Sequence, residues 1–185
     1  MIGDWIAPTM VGLLELALDA SPRDLIDRLV QLRASVELLD FGCGSGPHRG
    51  DLTAAGFNWH GVDYAQSDDR AALARSFTDG VTLYDGFTLP FAASTFDVVW
   101  ACQSFEHVLD AEKSARECAR VLRPGGYFAG SVSFLEPSHA RSTFCYTPYG
   151  FHHLCKRHGL DTIKIYVIAH EVGWAWARSQ ALGWI

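Results

Sequence analysis

The chain has 185 residues, a formal net charge of −6, 49% hydrophobic residues and 19% charged ones. That suffices for one domain with a single core and excludes a disordered chain. The anionic balance argues against a broad nucleic-acid footprint and against attraction to acidic lipid. Five cysteines (Cys43, Cys102, Cys118, Cys145 and Cys155) are dispersed without a Cys-x-x-Cys pair, and no secretory pattern opens the chain. A reduced, cytoplasmic protein is therefore expected. The apolar stretch 10–18 is short and interrupted by Glu15, so it cannot span a bilayer.

In chain order, Leu13, Leu14, Leu16 and Ala17 recur at helix-like spacing. Ser21-Pro22 then offers an N-cap and a proline at the first helical position, ahead of Leu25, Ile26, Leu29, Val30 and Leu32. Region 8–34 is expected to be helical. Residues 36–41 form a short apolar run closed by Gly42, which suits a buried strand, and a glycine-rich turn leads to a helix at 48–55. Strands are expected at 58–63, 81–84, 96–101, 127–134 and 161–169, with helices at 68–76, 111–121 and 149–158. Arg123-Pro124-Gly125-Gly126 is a stop signal after the helix at 111–121. Strands alternating with helices imply a mostly parallel sheet covered on both faces, within one α/β domain spanning 1–185.

Leu38-Leu39-Asp40-Phe41-Gly42-Cys43-Gly44-Ser45-Gly46 places a glycine loop between strand and helix. Glycines there let the backbone turn tightly and approach a ligand, and the following helix start offers free amide hydrogens. The spacing is Gly-x-Gly-x-Gly with Pro at 47, which departs from the Gly-x-Gly-x-x-Gly of dinucleotide folds. Without a pyrophosphate to cradle, the loop can meet an amino-acid moiety.

With this loop, four further segments in the same order make the sequence resemble the class I S-adenosylmethionine-dependent methyltransferases, in particular their small-molecule group. They are His60-Gly61-Val62-Asp63, Asp85-Gly86-Phe87-Thr88-Leu89-Pro90-Phe91, Phe96-Asp97-Val98-Val99-Trp100 continuing through Gln103-Ser104-Phe105-Glu106-His107-Val108, and Arg120-Val121-Leu122-Arg123-Pro124-Gly125-Gly126-Tyr127-Phe128. The resemblance covers about 36–134. It implies a Rossmann-like three-layer αβα sandwich, S-adenosyl-L-methionine as cofactor with S-adenosyl-L-homocysteine as product, and methyl transfer to a small-molecule acceptor. Carried over residue by residue, it implies that Gly42, Cys43 and Gly44 line the methionine portion, with Gly46 beneath the helix start. Asp40 would orient the amino group, directly or through water. Asp63 would bind the ribose hydroxyls, Tyr64 would lie beside the adenine, and Asp85 with the Gly86 amide would read the adenine edge. Gln103 would sit near the methionine end through its backbone carbonyl.

Other residues are less specific. Asp97 at a strand start serves structure. His152, His153, Cys155 and His158 are metal-ligand types on an expected helix, without paired spacing, and no metal is expected. The oxygen, nitrogen or carbon nature of the acceptor stays open; a hydroxyl would profit from a base, for which His107 and His139 are candidates by location. Segment 134–150, with Glu136, His139, Arg141, Tyr146 and Tyr149, is expected to be a mobile lid or pocket wall. The tail 171–185, with Trp174, Trp176 and Trp184, has the pattern of a helix where the family usually places a last antiparallel strand. The sheet is therefore expected to depart from seven strands. Either an apolar edge is covered by a missing segment or a second copy, or the chain closes as six parallel strands. A non-catalytic methyltransferase-like module and another nucleotide-dependent enzyme are the alternative functions.

Overall fold

The structure, a computed structural model, describes residues 14–17, 22–30, 36–64, 80–134 and 141–168. The elements are β1 (Leu14–Ala17), α1 (Pro22–Val30), β2 (Val36–Phe41), α2 (Arg49–Ala54), β3 (Phe57–Tyr64), β4 (Val81–Tyr84), β5 (Phe96–Cys102), a 3-10 turn (Phe105–His107), α3 (Ala111–Val121), β6 (Leu122–Ser131), α4 (Pro148–Arg157) and β7 (Ile165–Ile168). Five strands form one sheet in the order β4-β3-β2-β5-β6, and every pairing is parallel. β2 therefore stands between β3 and β5, where the order reverses; ligands of open α/β sheets bind outside such a switch point.

Parallel strands buried on both faces carry apolar residues at successive positions. Leu39, Phe41, Val62, Val99 and Ala101 face a core completed by Ala115, Cys118 and Val121 of α3 and Leu154 of α4. The alternate residues Leu38, Val98 and Trp100 face a second core with Ile26 and Leu29 of α1 and Leu52 of α2. The two cores on opposite sides of one sheet give the three-layer α/β sandwich expected from the sequence.

Three expectations are corrected. Segment 14–17 of the region expected to be helical is a strand, because β1 pairs in parallel with β7; pairing with a distant segment overrides a four-residue helical spacing. For the same reason Ile165–Ile168 does not become a sixth member of the main sheet. β5 is the only neighbour of β6 among the described residues, with no antiparallel strand beside it. The stop signal does end α3 at Val121, yet β6 begins at once. Phe96 pairs with Leu122 and Val98 with Tyr127, so Arg123–Gly126 bulges out of the ladder. Gly125 is left-handed there (φ 77°), and a Cβ on Gly126 would lie 2.8 Å from the Asp97 carbonyl oxygen. The expected helix at 68–76 and the tail 171–185 lie outside the described residues.

Candidate functional site

β2 delivers Asp40 and Phe41 to the carboxyl edge of the sheet, and the glycine loop follows with Gly42, Gly44 and Gly46 at φ 69°, 52° and 77°. Only glycine adopts these angles without steric cost. The amides of Gly42 and Cys43 both donate to the Val62 carbonyl (2.9 and 3.1 Å), so the loop continues the β2–β3 pairing beyond the strand. The Gly46 amide donates to Cys43 O (2.8 Å), and Arg49 N donates to Gly46 O (3.1 Å), turning the chain into α2. A Cβ on Gly42 would lie 2.5 Å from the Ser104 Cβ, whereas one on Gly44 would meet nothing within 4 Å. The loop is pressed against the turn after β5 at one glycine and open at the next.

Two carboxylates flank it. Asp63, at the end of β3, accepts from Gly44 N through Oδ2 (2.5 Å) and from Tyr64 N through Oδ1 (2.6 Å). Asp40 is 2% exposed; its Oδ2 accepts from the indole Nε1 of Trp59 (2.9 Å). Burial pushes the Asp40 carboxyl up to about 6 against the lowering effect of that indole, and the Asp63 charge adds to the rise. Burial likewise pushes the Cys43 thiol up, so it is a packed thiol and not a thiolate nucleophile.

The next strand end completes the rim. A Cβ on Gly86 (φ 83°) would lie 2.7 Å from the Tyr64 ring and 3.3 Å from Leu109 Cδ1, so Tyr64, Gly86 and Leu109 converge. Asp85 is exposed and accepts through Oδ1 from Phe87 N (2.8 Å) and Thr88 N (2.7 Å). These two backbone donors hold its carboxyl below the usual carboxylate range. Across the switch point Gln103 takes a left-handed backbone (φ 50°). Its amide donates to Ser131 O (2.9 Å) and its Nε2 to Ser131 Oγ (3.2 Å).

The Methyltransferase domain family matches residues 39–130, the span that builds this rim. The chain belongs to the class I S-adenosylmethionine-dependent methyltransferases. It is similar to the 27-O-demethylrifamycin SV methyltransferase of Amycolatopsis mediterranei, 37% identical over 66% of this chain and 49% of that protein. It is also 33% identical to the methyltransferase GfsG of Streptomyces halstedii, over 69% of this chain and 48% of the relative. The chain thus spans about half the length of these relatives. The fold matches a SAM dependent methyltransferase from Aquifex aeolicus with a TM-score of 0.59 at 16% identity, covering 85% of this chain and 86% of that one.

On the other side of the methyltransferase rim, the turn after β5 is clamped by the segment 141–147. Thr143 N and Phe144 N donate to Glu106 O (2.7 and 3.2 Å), and Thr143 Oγ1 donates to Val108 O (2.9 Å). The Tyr146 hydroxyl donates to Phe105 O (3.2 Å), and Tyr146 N to Ser133 O (2.9 Å). These bonds tie residues 141–147, part of the stretch expected to be a mobile lid or pocket wall, to the turn after β5. His107 is half-buried in the 3-10 turn, its amide donating to Ser104 O (3.0 Å). His139 lies outside the described residues.

The structure brings Asp40, Gly42, Cys43, Gly44, Gly46 and Asp63 into one loop cluster, Tyr64 against Gly86 beside it, and Gln103 onto the facing strand end. His152 instead shares a 2.8 Å hydrogen bond with Thr162 Oγ1, and His158 one of 2.8 Å with Glu112. Sequence reasoning missed Trp59 and Ser104. Strand alternation carries a signal for the first, since Trp59 lies on the same face of β3 as Gly61, the register partner of Asp40. No such signal reveals Ser104, whose Oγ is buried without a hydrogen-bond partner among the described residues.

Proposed function

We propose that this domain transfers the methyl group of S-adenosylmethionine to a hydroxyl of a small organic acceptor. The observation that carries the reading is the convergence, at one switch point, of a buried acid, an open glycine loop and a second acid tied to that loop. The site's residues suit the cofactor. The space above Gly44 accommodates a ligand against bare backbone, and Asp40 supplies a carboxylate one strand residue from the loop. The methionine portion would lie along Gly42, Cys43 and Gly44, with Gly46 beneath the helix start, Asp40 toward the amino group and Gln103 opposite. Asp63 would take the ribose hydroxyls, exchanging its hold on Gly44 N for them. Tyr64 and the Gly86 amide, with Asp85, would take the adenine.

When bound, the cofactor supplies an electrophilic methyl group that needs no further activation. The chain's own task is then to align the acceptor and exclude water, and orientation supplies on the order of 7–11 kcal/mol in favourable cases. The hydroxyl reading draws on the printed names of relatives, among them the rifamycin enzyme and the O-methyltransferase rstn1 of Aspergillus nomiae. His107, at the turn beyond Gln103, is the candidate base to receive the hydroxyl proton, and His139 is the second. The single domain 1–185 is the unit proposed to act.

Calorimetry with S-adenosylmethionine, S-adenosylhomocysteine and NAD tests the cofactor assignment, and turnover with a panel of phenolic and polyketide hydroxyls tests the acceptor. Binding of NAD in place of the adenosyl ligands would overturn the first, and turnover confined to amine or carbon acceptors the second.

A further inference from the structure

Trp59 ties the strand β3 to the buried acid of β2. It lies on β3 two residues before Gly61, and its half-buried ring occupies the space where a Gly61 side chain would stand: a Cβ there would be 2.4 Å from the indole Cη2 and 2.9 Å from Cys43 Sγ. The nearest ring atom to a Cβ on Gly80 is 3.6 Å away, and the Arg49 guanidinium sits 4.8 Å from the ring centroid. The ring is therefore held between β3, the glycine loop and α2. In that position Nε1 reaches across to the neighbouring strand and donates to Asp40 Oδ2. Asp40 Oδ1 has no hydrogen-bond partner among the described residues. A carboxylate with one oxygen fixed by a neutral donor and the other unpartnered is arranged to receive a cation.

We propose that Trp59 is a positioning residue for the cofactor's amino group: its indole N–H fixes Oδ2 of Asp40 and presents Oδ1 to the ammonium of the methionine portion. The inference rests on the cofactor assignment made above. It explains why an acid is kept in a place hostile to its charge. Among the described residues, Asp63, Cys43 and Cys102 are the titratable groups coupled to Asp40, and none of them supplies a positive charge. The indole N–H is thus the group that favours the ionised carboxylate.

The test uses the full chain. Affinity for S-adenosylhomocysteine is measured by calorimetry at pH 8, 7 and 6 for the wild type, Trp59→Phe and Asp40→Asn, together with a ¹³C titration of the Asp40 carboxyl in the ligand-free protein. Removing the donor raises the pH at which Asp40 ionises. If it rises by about one unit, the ionised fraction at pH 6 falls roughly fivefold while that at pH 8 hardly changes. Expected is a Trp59→Phe affinity deficit that widens about fivefold from pH 8 to pH 6, an Asp40 titration moved to higher pH, and no added deficit in the double variant with Asp40→Asn. Where Phe leaves a void that unfolds the domain, 3-benzothienylalanine at Trp59 keeps the ring shape and removes only the donor. Parallel pH profiles, or an unmoved Asp40 titration, overturn the role of Trp59 while leaving the cofactor assignment standing. A wild type that binds neither adenosyl ligand at any of these pH values overturns both.

Discussion

The contrast between Gly42 and Gly44 allows the glycine loop to be tested quantitatively. Both have positive φ, 69° and 52°, so alanine at either incurs roughly 1–2 kcal/mol of left-handed strain. About 0.4–1 kcal/mol of this is returned through the stiffer unfolded chain. At Gly44 nothing else opposes the methyl group, and Gly44→Ala is expected to lose about 1 kcal/mol. At Gly42 the methyl would lie 2.5 Å from Ser104 Cβ, and overpacking adds roughly 1–3 kcal/mol, for a total of about 2–4 kcal/mol. Urea unfolding of the ligand-free domain measures both, and the thermal midpoint should fall by about 2–4 °C per kcal/mol. Ser104→Gly supplies the cross-check. It removes the obstructing Cβ and a hydroxyl that makes no hydrogen bond among the described residues, so Gly42→Ala with Ser104→Gly should recover about 1 kcal/mol or more relative to additivity. Equal losses at the two glycines, or strict additivity with Ser104→Gly, would refute the close approach of the loop to the turn after β5.

Asp63→Ala removes the acceptor for Gly44 N and Tyr64 N, and should weaken S-adenosylhomocysteine binding at least tenfold by calorimetry. Arg120 donates to Glu117 and to the carbonyls of Leu89 (3.0 Å) and Phe91 (2.8 Å), while Glu117 accepts from Leu89 N (2.8 Å). Arg120→Ala should cost about 2–4 kcal/mol in urea unfolding. The Arg120 hydrogen bond also holds the Glu117 carboxyl below 4.5, so its contribution is complete above that pH and is lost as pH falls through the folded value; acid unfolding of Arg120→Ala should have a shallower slope below pH 4.5. Asp40 has the opposite sign. Its folded state holds the proton more tightly than the unfolded one, so stability declines as pH rises from about 4 to 6 and stays diminished above. The rise from 3.8 to about 6 is equivalent to about 3 kcal/mol, and Asp40→Asn should stabilise the ligand-free domain at pH 7.5 by up to that amount while weakening cofactor binding. Unchanged or lower stability in Asp40→Asn would show that burial does not oppose its charge.

The parts of the fold that could be read in the sequence are those governed by short-range rules. Val81–Tyr84 and Ala111–Val121 match their expected bounds because a short β-prone stretch bounded by Gly80 and Asp85 and a capped, amphipathic stretch each specify themselves; Asp110 caps α3 by accepting from Lys113 N (3.0 Å). Segment 14–17 was opaque because its hydrogen bonds go to β7, some 150 residues away, and four residues carry too little periodicity to foresee such a partner. The same limit hid the clamp of 141–147 on Phe105, Glu106 and Val108, which depends on backbone carbonyls that any sequence supplies. Trp59 was hidden differently: as a strand tryptophan it satisfied a core pattern, and only the register of β2 with β3 reveals its nitrogen reaching Asp40.

Register also explains why the glycine-loop rim is legible in the sequence and the segment beyond Gln103 is not. Val62 O accepts the amides of Gly42 and Cys43, so the loop after β2 is built as an extension of the ladder with β3. Asp63 follows Val62 directly and is thereby delivered to Gly44 N, and Gly61, pairing with Asp40, leaves the opening that the Trp59 ring fills. The glycine loop, Asp63 and Asp40 are thus fixed by neighbours on the adjacent strand, and a short run of sequence with defined spacing must accompany the geometry. Beyond Gln103 that constraint ends. Segment 141–147 is held to main-chain carbonyls by its own amides and by the hydroxyls of Thr143 and Tyr146, acceptors that the strand register does not specify. The spacing of the rim is thus dictated by the sheet, whereas nothing in the register dictates the residues of 141–147, and the acceptor must be sought by assay.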